Sequence, residues 1–514
     1  MDLVTGCRRP GTVLVLVALA LAATLLSGCS SSDGAGGSGA SSSRPPSPAG
    51  DALDVRSLGA TGDGQADDWQ AVQEAVRQAA ATGRAVSLPP GTYLCTRPVE
   101  LPDGVSVQGA GESSWLKGQL VFASANDVGG LKIGDAGRAA VVNADGARGT
   151  VFRDCRFRGG GDTEGGESSV VFLGGSHGSV SGLLFERCRF ERTLYEPPPG
   201  VDAYEANVGN TISIHEYSYD HDAAHVEDVT FRDCHLGASN GRAKGALRMM
   251  LEAFCWDERT GRVLHGWRDL TFDGCIIEAA DSNGLDFADR PLSSDPSRRA
   301  ASGVLITGCT FLGAGVGRGG PAIVYECPTG IVIRDNVFYA SPGDVIGGSH
   351  SFQSDAPRLV IEGNTFDMTR NPAGFEHLPG EPIISLIGHG SRIEGNTFLY
   401  DTGIGVRIKA GSGDSVYGAT GNVIRGNTFK DTRLSNGEPT IVLLDEYGLG
   451  CFDNSITANT IENRAAGRAG VIVHDTGDGA NRAVGNTIDA GSSAPFVVLS
   501  GRFVQRDNHV QGQR

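Results

Sequence analysis

The stretches Leu359-Val-Ile-Glu-Gly-Asn-Thr-Phe366, Ser391-Arg-Ile-Glu-Gly-Asn-Thr-Phe398 and Val423-Ile-Arg-Gly-Asn-Thr-Phe429 decide the fold. Each is a short alternating strand, then Gly, then Asn, then a residue and Phe. The same pattern with Asp or Gly before the ladder position runs upstream. It appears as Val229-Thr-Phe-Arg-Asp-Cys-His235, Leu270-Thr-Phe-Asp-Gly-Cys-Ile276, Val304-Leu-Ile-Thr-Gly-Cys-Thr-Phe311 and Ile331-Val-Ile-Arg-Asp-Asn-Val-Phe338. Degenerate copies occupy 151–157, 183–190, 455–461 and 484–488. A period of roughly thirty residues means an array of stacked units rather than one folded core. Alternation within each copy means strands, because successive side chains point to opposite faces. No long amphipathic helix joins one copy to the next, so the units are not βαβ. What is left is a solenoid whose coils stack as parallel strands about 4.8 Å apart.

One slot recurs in every copy: Cys155, Cys188, Cys234, Cys275 and Cys309, then Asn336, Asn364, Asn396, Asn427, Asn459 and Asn486. Like residues on neighbouring coils stack on each other, and buried Asn side chains satisfy one another and the turn backbone. A linear file of Cys does not make the tetrahedral cluster that zinc takes. Side chains stacked about 4.8 Å apart also lie beyond the Cβ separation of a disulfide, about 3.8 Å. These cysteines are therefore expected to be buried thiols packing as small apolar groups.

The 514 residues include 76 Gly and 7% aromatics, which suits many tight turns and a core of small and branched side chains. A net charge of −17 argues against a nucleic-acid-binding body. A polyanionic ligand would need a local basic cluster or a bound cation such as calcium; no other cofactor is expected.

At the start, Arg8 and Arg9 precede an apolar run over 13–26, too short to span a membrane and matching a signal-peptide core. It ends in Leu26-Ser-Gly-Cys29, which resembles a bacterial lipobox. The resemblance implies cleavage before Cys29, lipidation of Cys29 and an extracytoplasmic, membrane-anchored location. The expected division is a signal peptide over 1–28, a Ser/Gly/Pro tether over 29–50 and a β-helix body over 51–514. The body is expected to be a monomer, its last coil capped by 494–514.

Asp54-Val-Arg-Ser-Leu-Gly-Ala-Thr-Gly-Asp-Gly-Gln-Ala-Asp-Asp68 leads into a helix. Trp69, Val72, Val76 and Ala79 share one face, Asp67 or Asp68 caps the start, and Gly83 ends it. A strand, the turn Pro89-Pro-Gly91 and Tyr93 follow. This segment resembles the opening of the pectate-lyase-like superfamily. The resemblance implies an all-β, single-stranded, right-handed parallel β-helix of about ten or eleven coils, plugged at its N-terminal end by one α-helix.

Candidate chemistry lies on the strand after each ladder residue. In Asn283-Gly-Leu-Asp-Phe-Ala-Asp289 the alternation turns Leu285 and Phe287 inward and Asp286 outward. The same reading turns His215, Arg248, Glu252, Glu326, Arg407 and Lys409 outward. Stacking makes His215, Arg248, Glu252, Asp286 and Glu326 one strip over four coils, with Asp289 and Arg290 beside it. The coils here are the longest, about 46 residues from Cys188 to Cys234 and about 41 from Cys234 to Cys275. Their extra chain (195–222, 240–267, 289–301) would wall a groove and brings Tyr195, Tyr204, Tyr217, Tyr219, Trp256 and Trp267, rings that suit sugar faces.

Neighbouring carboxylates such as Asp286 with Asp289 or Glu326 fit glycoside hydrolysis, one protonating the leaving oxygen and the other activating water or attacking. A basic side chain beside a metal-binding carboxylate fits β-elimination from a uronate instead. Gly388-His-Gly390 and Arg407-Ile-Lys409 resemble the G-H-G and R-I-K motifs of polygalacturonases. The resemblance gives His389 a supporting role and lets Arg407 and Lys409 bind a uronate carboxyl. Asp286 lies about three coils earlier, roughly 14 Å from that motif, so the arrangement departs from that family. Asn283-Gly-Leu-Asp286 resembles the Gly-Phe-Asp-Pro-His signature of alginate epimerases, with Phe287-Ala288 in place of Pro-His. The expected function is cleavage of an extracellular polysaccharide by lyase or glycosidase chemistry. The alternative is a polysaccharide-binding or envelope protein without catalysis.

Overall fold

The structure, a computed structural model, describes residues 52–512 apart from 135–136, 161–169, 175–179, 192–210, 215–223, 238–246, 250–255, 258–261, 264, 279–282, 289–301, 314–320, 327–328, 349–357, 373, 412–417 and 432–436. At 172, 224–225, 247–249, 256–257, 262–263, 265–267, 288, 302, 326 and 329 it describes the backbone path alone. The expected signal peptide, the tether and Cys29 lie outside the described residues.

The chain winds as a parallel β-helix with three files of strands. The first file holds the alternating strand of each repeat, such as Leu359–Glu362 on Arg392–Glu394 on Val423–Arg425. The second holds the two to four residues after the ladder position, such as Thr365–Asp367 on Thr397–Tyr400 on Thr428–Asp431. The third runs through Leu285–Ala288, Ile323–Glu326, Ile346–Gly348, Pro382–Leu386, Ile404–Lys409 and Ile441–Leu444. The ladder undercounts the coils. Strands Val86–Leu88, Ser106–Lys117 and Asp127–Gly134 stack ahead of Cys155 without the motif, and Phe496–Arg506 stacks after Asn486.

The residue that precedes each ladder position, Asp or Gly in most copies but Arg187 and Ala458 in two, has a backbone reason. Asp154, Asp233 and Asp335 have φ of 52°, 51° and 57°, and Gly363, Gly395 and Gly426 have 64–65°. This left-handed position makes the corner between the first two files. Glycine takes it freely, and Asp is among the few side chains that tolerate it.

The ladder residue then points inward and is buried. Asn396 shows the pattern: its Nδ2 donates to Ile361 O of the preceding coil and to Asn427 Oδ1 of the next. Its Oδ1 accepts from the Asn364 backbone N–H and from Asn364 Nδ2. The cysteines copy half of this, each Sγ donating back one coil, as Cys275 does to Phe231 O and Cys309 to Phe272 O. All seven described cysteines are buried free thiols, as expected. Burial pushes the Cys95 and Cys451 thiols up to about 12. A second asparagine file, Asn422–Asn454–Asn481, turns the opposite corner, a feature the repeat motif did not reveal. Between the files, phenylalanine rings stack coil on coil: Phe152, Phe185, Phe231 and Phe272 at 5.1 Å, and Phe338, Phe366, Phe398 and Phe429 at 4.4–4.9 Å.

Helix α1 (Trp69–Thr82) closes the N-terminal end, burying Val72, Ala75, Val76 and Ala79 on the first coils. Gly83 ends it in the left-handed conformation, its N–H on Ala79 O. Asp68 occupies the cap position with its carboxylate turned away, on the Thr61 and Gly62 backbone N–H groups; Asp67 takes the Trp69 N–H. Asp68 therefore ties the preceding loop down, a structural duty for this acidic stretch. At the other end, 494–512 does not cap: Phe496–Arg506 and His509–Gln511 are themselves the last described strands.

Candidate functional site

Register along the third file makes one outward row: Arg248, Asp286, Val324, Gly347, Ser385 and Arg407. Arg248 and Asp286 are direct partners by backbone. Glu326 is not in this row. It pairs with Ala288, two residues further along the strand, so the direct neighbour of Asp286 is Val324. Glu326 shares its strand parity with Val324, the next outward position. His215, Glu252, Asp289, Arg290 and the four loop tyrosines lie outside the described residues. Trp256 is placed by backbone only, in a two-residue antiparallel strand paired to Arg262–Val263; Trp267 is likewise placed by backbone, opposite Val226.

Asp286 is flanked by fully buried Leu285 and Phe287, as the alternation requires. It is not an exposed groove residue, however. Only 4% of it is accessible, and Asn283 Nδ2 donates to its Oδ2 at 3.0 Å. Outward from the coil is thus not outward to solvent: the row is a floor covered from above.

The row reaches accessible chain at its far end. Arg407 is half-buried and donates from Nη2 to Gly380 O at 2.6 Å. Lys409 Nζ lies 3.0 Å from Glu446 and 5.7 Å from the Tyr447 ring. His389 sits in the turn after Pro382–Leu386, and its Nδ1 accepts from the Thr420 backbone N–H, with Thr420 Oγ1 at 2.7 Å. Arg407 and His389 therefore engage different segments, Gly380 and Thr420. Three register steps separate Asp286 from Ser385, the strand before His389, matching the three-coil separation expected from the repeat count.

A carboxyl group the sequence reading passed over lies on this row. A side chain at Gly347 would begin 3.0 Å from Asp344 Oδ2, so its absence lets Asp344 lie across the sheet. Asp344 is hydrogen-bonded to Glu381, with Ser385 and Arg407 also acting on it. Burial, then the charge of Glu381, push the Asp344 carboxyl up to about 7, against the pull of Arg407. The charge of Glu381 beside it is the second cause of that rise, so the contact between the two carboxyls bears on Asp344. On the coil beyond, burial raises Glu438 although it accepts the Gly380 and Gly403 N–H groups. Beneath them, buried His377 bridges Ser341 O and Glu381 O at 2.8 and 3.0 Å, fastening the two carboxyl-bearing segments together.

The signal for these residues was present but off the strands. Pro342-Gly-Asp344, Pro379-Gly-Glu381 and Gly437-Glu438-Pro439 each place an acid after a glycine, just before a third-file strand. Among the described residues, no group of three or more His, Cys, Asp or Glu side chains is arranged to hold a metal ion, so no step is assigned to calcium.

Residues 52–162 match the family model described as Rhamnogalacturonase A/epimerase, pectate lyase-like, and residues 297–488 match that for a right handed beta helix region. The chain is thus a right-handed parallel β-helix protein, with its first coils similar to the pectate-lyase-like model. Among solved structures it is similar to the N-terminal fragment of gene product 12 of bacteriophage Phi29, at 15% identity and TM-score 0.51 over 90% of this chain and 71% of that one. It is also similar to PfbA, a surface adhesin of Streptococcus pneumoniae (15%, 0.43, 89% and 91%), and to the A-module of mannuronan C-5 epimerase AlgE6 of Azotobacter vinelandii (18%, 0.40, 90% and 100%). At these identities the likeness is one of fold. No curated protein matches the chain by sequence.

Proposed function

We propose that the protein is a carbohydrate-active enzyme that hydrolyses a glycosidic bond over the third file. The observation that carries this reading is the Asp344–Glu381 pair beside Arg407, a carboxyl group still protonated near neutral pH at the accessible end of a polar row. A glycosidase needs such an acid to protonate the leaving oxygen. Asp286 lies two register steps from Gly347, about 9.6 Å at the strand spacing. That backbone spacing is just beyond the carboxyl separation, about 6.5–9.5 Å, that leaves room for a water and gives inversion. Val324 floors the gap between the two. β-Elimination is less well served, because Arg407 and Lys409 already have partners. The family description covering 52–162 names carbohydrate-active enzymes and supports the broad class. The lipobox-like Leu26-Ser-Gly-Cys29 supports anchoring outside the membrane.

The test is to incubate the body from Asp51 onward with a polysaccharide panel, following reducing ends and absorbance near 230 nm. Reducing ends without the absorbance are expected. Asp344→Asn and Asp286→Asn should each lower the rate at least about a hundredfold, as loss of a general acid or base does. Activity that survives both substitutions overturns the site. Binding without cleavage by the unaltered protein favours the non-catalytic alternative.

A further inference from the structure

The chemical class of the ligand can be read from how the charges on this face are already spent. We infer that the third-file face takes an uncharged glycan and not a uronate, an inference that rests on this face being the glycan site proposed above.

Both described cations at the accessible end are engaged. Arg407 reaches Gly380 O at 2.6 Å and lies within the fields of Asp344 and Glu438. Lys409 is paired with Glu446 at 3.0 Å. Of the four carboxyl groups here, Asp344 is held up to about 7, and Glu381, Glu438 and Glu446 stand against these two described cations. Asp286 adds a fifth further down the row, beside the backbone position of Arg248. A uronate would have to break an existing pair and enter a field already negative. The raised carboxyl of Asp344 reports the same sign, since burial and Glu381 outweigh Arg407 there.

Hydroxyl groups suit the face better. Carboxylates accept from sugar hydroxyls without bringing in another anion. Tyr447 is 50% exposed at the edge of this face, with Lys409 over its ring, and offers a platform for the C–H face of a pyranose.

Electrophoresis of the body through gels containing laminarin, dextran, galactan or mannan, against gels containing polygalacturonate or alginate, tests this. Retardation by at least one neutral polymer and by neither uronan is expected, unchanged in calcium. Glu446→Gln and Glu438→Gln together should free Lys409 and remove a negative charge acting on Arg407, raising affinity for polygalacturonate by about tenfold at low salt and losing the gain in 0.5 M salt, roughly as screening predicts. Wild-type retardation by a uronan, abolished by Arg407→Gln or Lys409→Gln, overturns the inference, as does retardation by neither class. Neutral binding without cleavage in the reducing-end assay would leave the ligand class standing and remove the hydrolytic reading. Cleavage of a uronan would do the reverse.

Discussion

At the residue scale, Asp344 and Asn396 make opposite uses of burial. Asp344 has its carboxyl near 7 in the folded chain, against about 3.9 when unfolded. The folded state therefore holds this proton more tightly. Its contribution to stability is complete below about pH 3.9, declines as pH rises toward 7, and is absent above. Asp344→Asn is expected to remove that slope, with a melting temperature above wild type at pH 8 and level with it at pH 4. Thermal melts across that range check it, and a slope that persists in the variant would exclude Asp344 as its source. Asn396 has four hydrogen bonds, two given and two received, and no water to replace them. Asn396→Ala is expected to cost about 3 kcal/mol or more in urea unfolding, because buried partners lose their bonds. Asn396→Cys should cost less, since a thiol in this slot still donates to the preceding coil. Both predictions concern residues whose burial the repeat implied for Asn and could not imply for a turn aspartate.

At the scale of elements, the corner and the end of the coil differ most. The described corners between the first and second files use one left-handed residue each, Asp or Gly in most coils but Arg187 and Ala458 in two, so the turn is only partly written in the sequence. Among the described residues, the last strands, Phe496–Arg506 and His509–Gln511, pair on one side, and His474 ties the first of them to the coil before. Its Nδ1 donates to Ser500 O at 2.8 Å, and its Nε2 accepts from Asn481 Nδ2 at 3.0 Å. Burial holds this histidine below its ordinary value. Because the folded value is the lower one, the coil has its full stability above about pH 6.5 and loses it as pH falls toward the depressed folded value. Hydrogen-exchange protection, taken relative to the intrinsic amide rate at each pH, should fall in Phe496–Arg506 between pH 7 and pH 5 before it falls in the ladder strands. Equal protection throughout would show that His474 does not hold this coil.

At the scale of the whole molecule, the ladder makes a stack of coils in which every described cysteine is a buried free thiol. Titration of the denatured, unreduced protein should find at least the seven thiols of Cys95, Cys155, Cys188, Cys234, Cys275, Cys309 and Cys451. A single thiol would mean that the ladder is crosslinked. If Leu26-Ser-Gly-Cys29 directs lipidation, Cys29→Ala should move the protein from the membrane fraction to the soluble extracytoplasmic fraction. Retention at the membrane would remove the anchor from Cys29.

The sequence by itself determined the coil. Each repeat carries its own strand alternation, its corner residue and its inward Asn or Cys, and these act over a few residues, where local pattern suffices. It also carried the spacing along the axis, which is why three coils between Asp286 and the His389 turn were countable. Only the tertiary structure decided which side chains meet. Coil lengths vary, so the register of the third file was not countable from the ladder. That register set Val324, not Glu326, beside Asp286 and brought Arg407 into the same row. Asp344 and Glu381 lie in turns with no periodic mark and touch because Gly347 leaves room for one carboxyl over the sheet while His377 ties their two segments together. The raised carboxyl of Asp344 is a property of that contact and of its burial, and nothing in the sequence around Asp344 marks it.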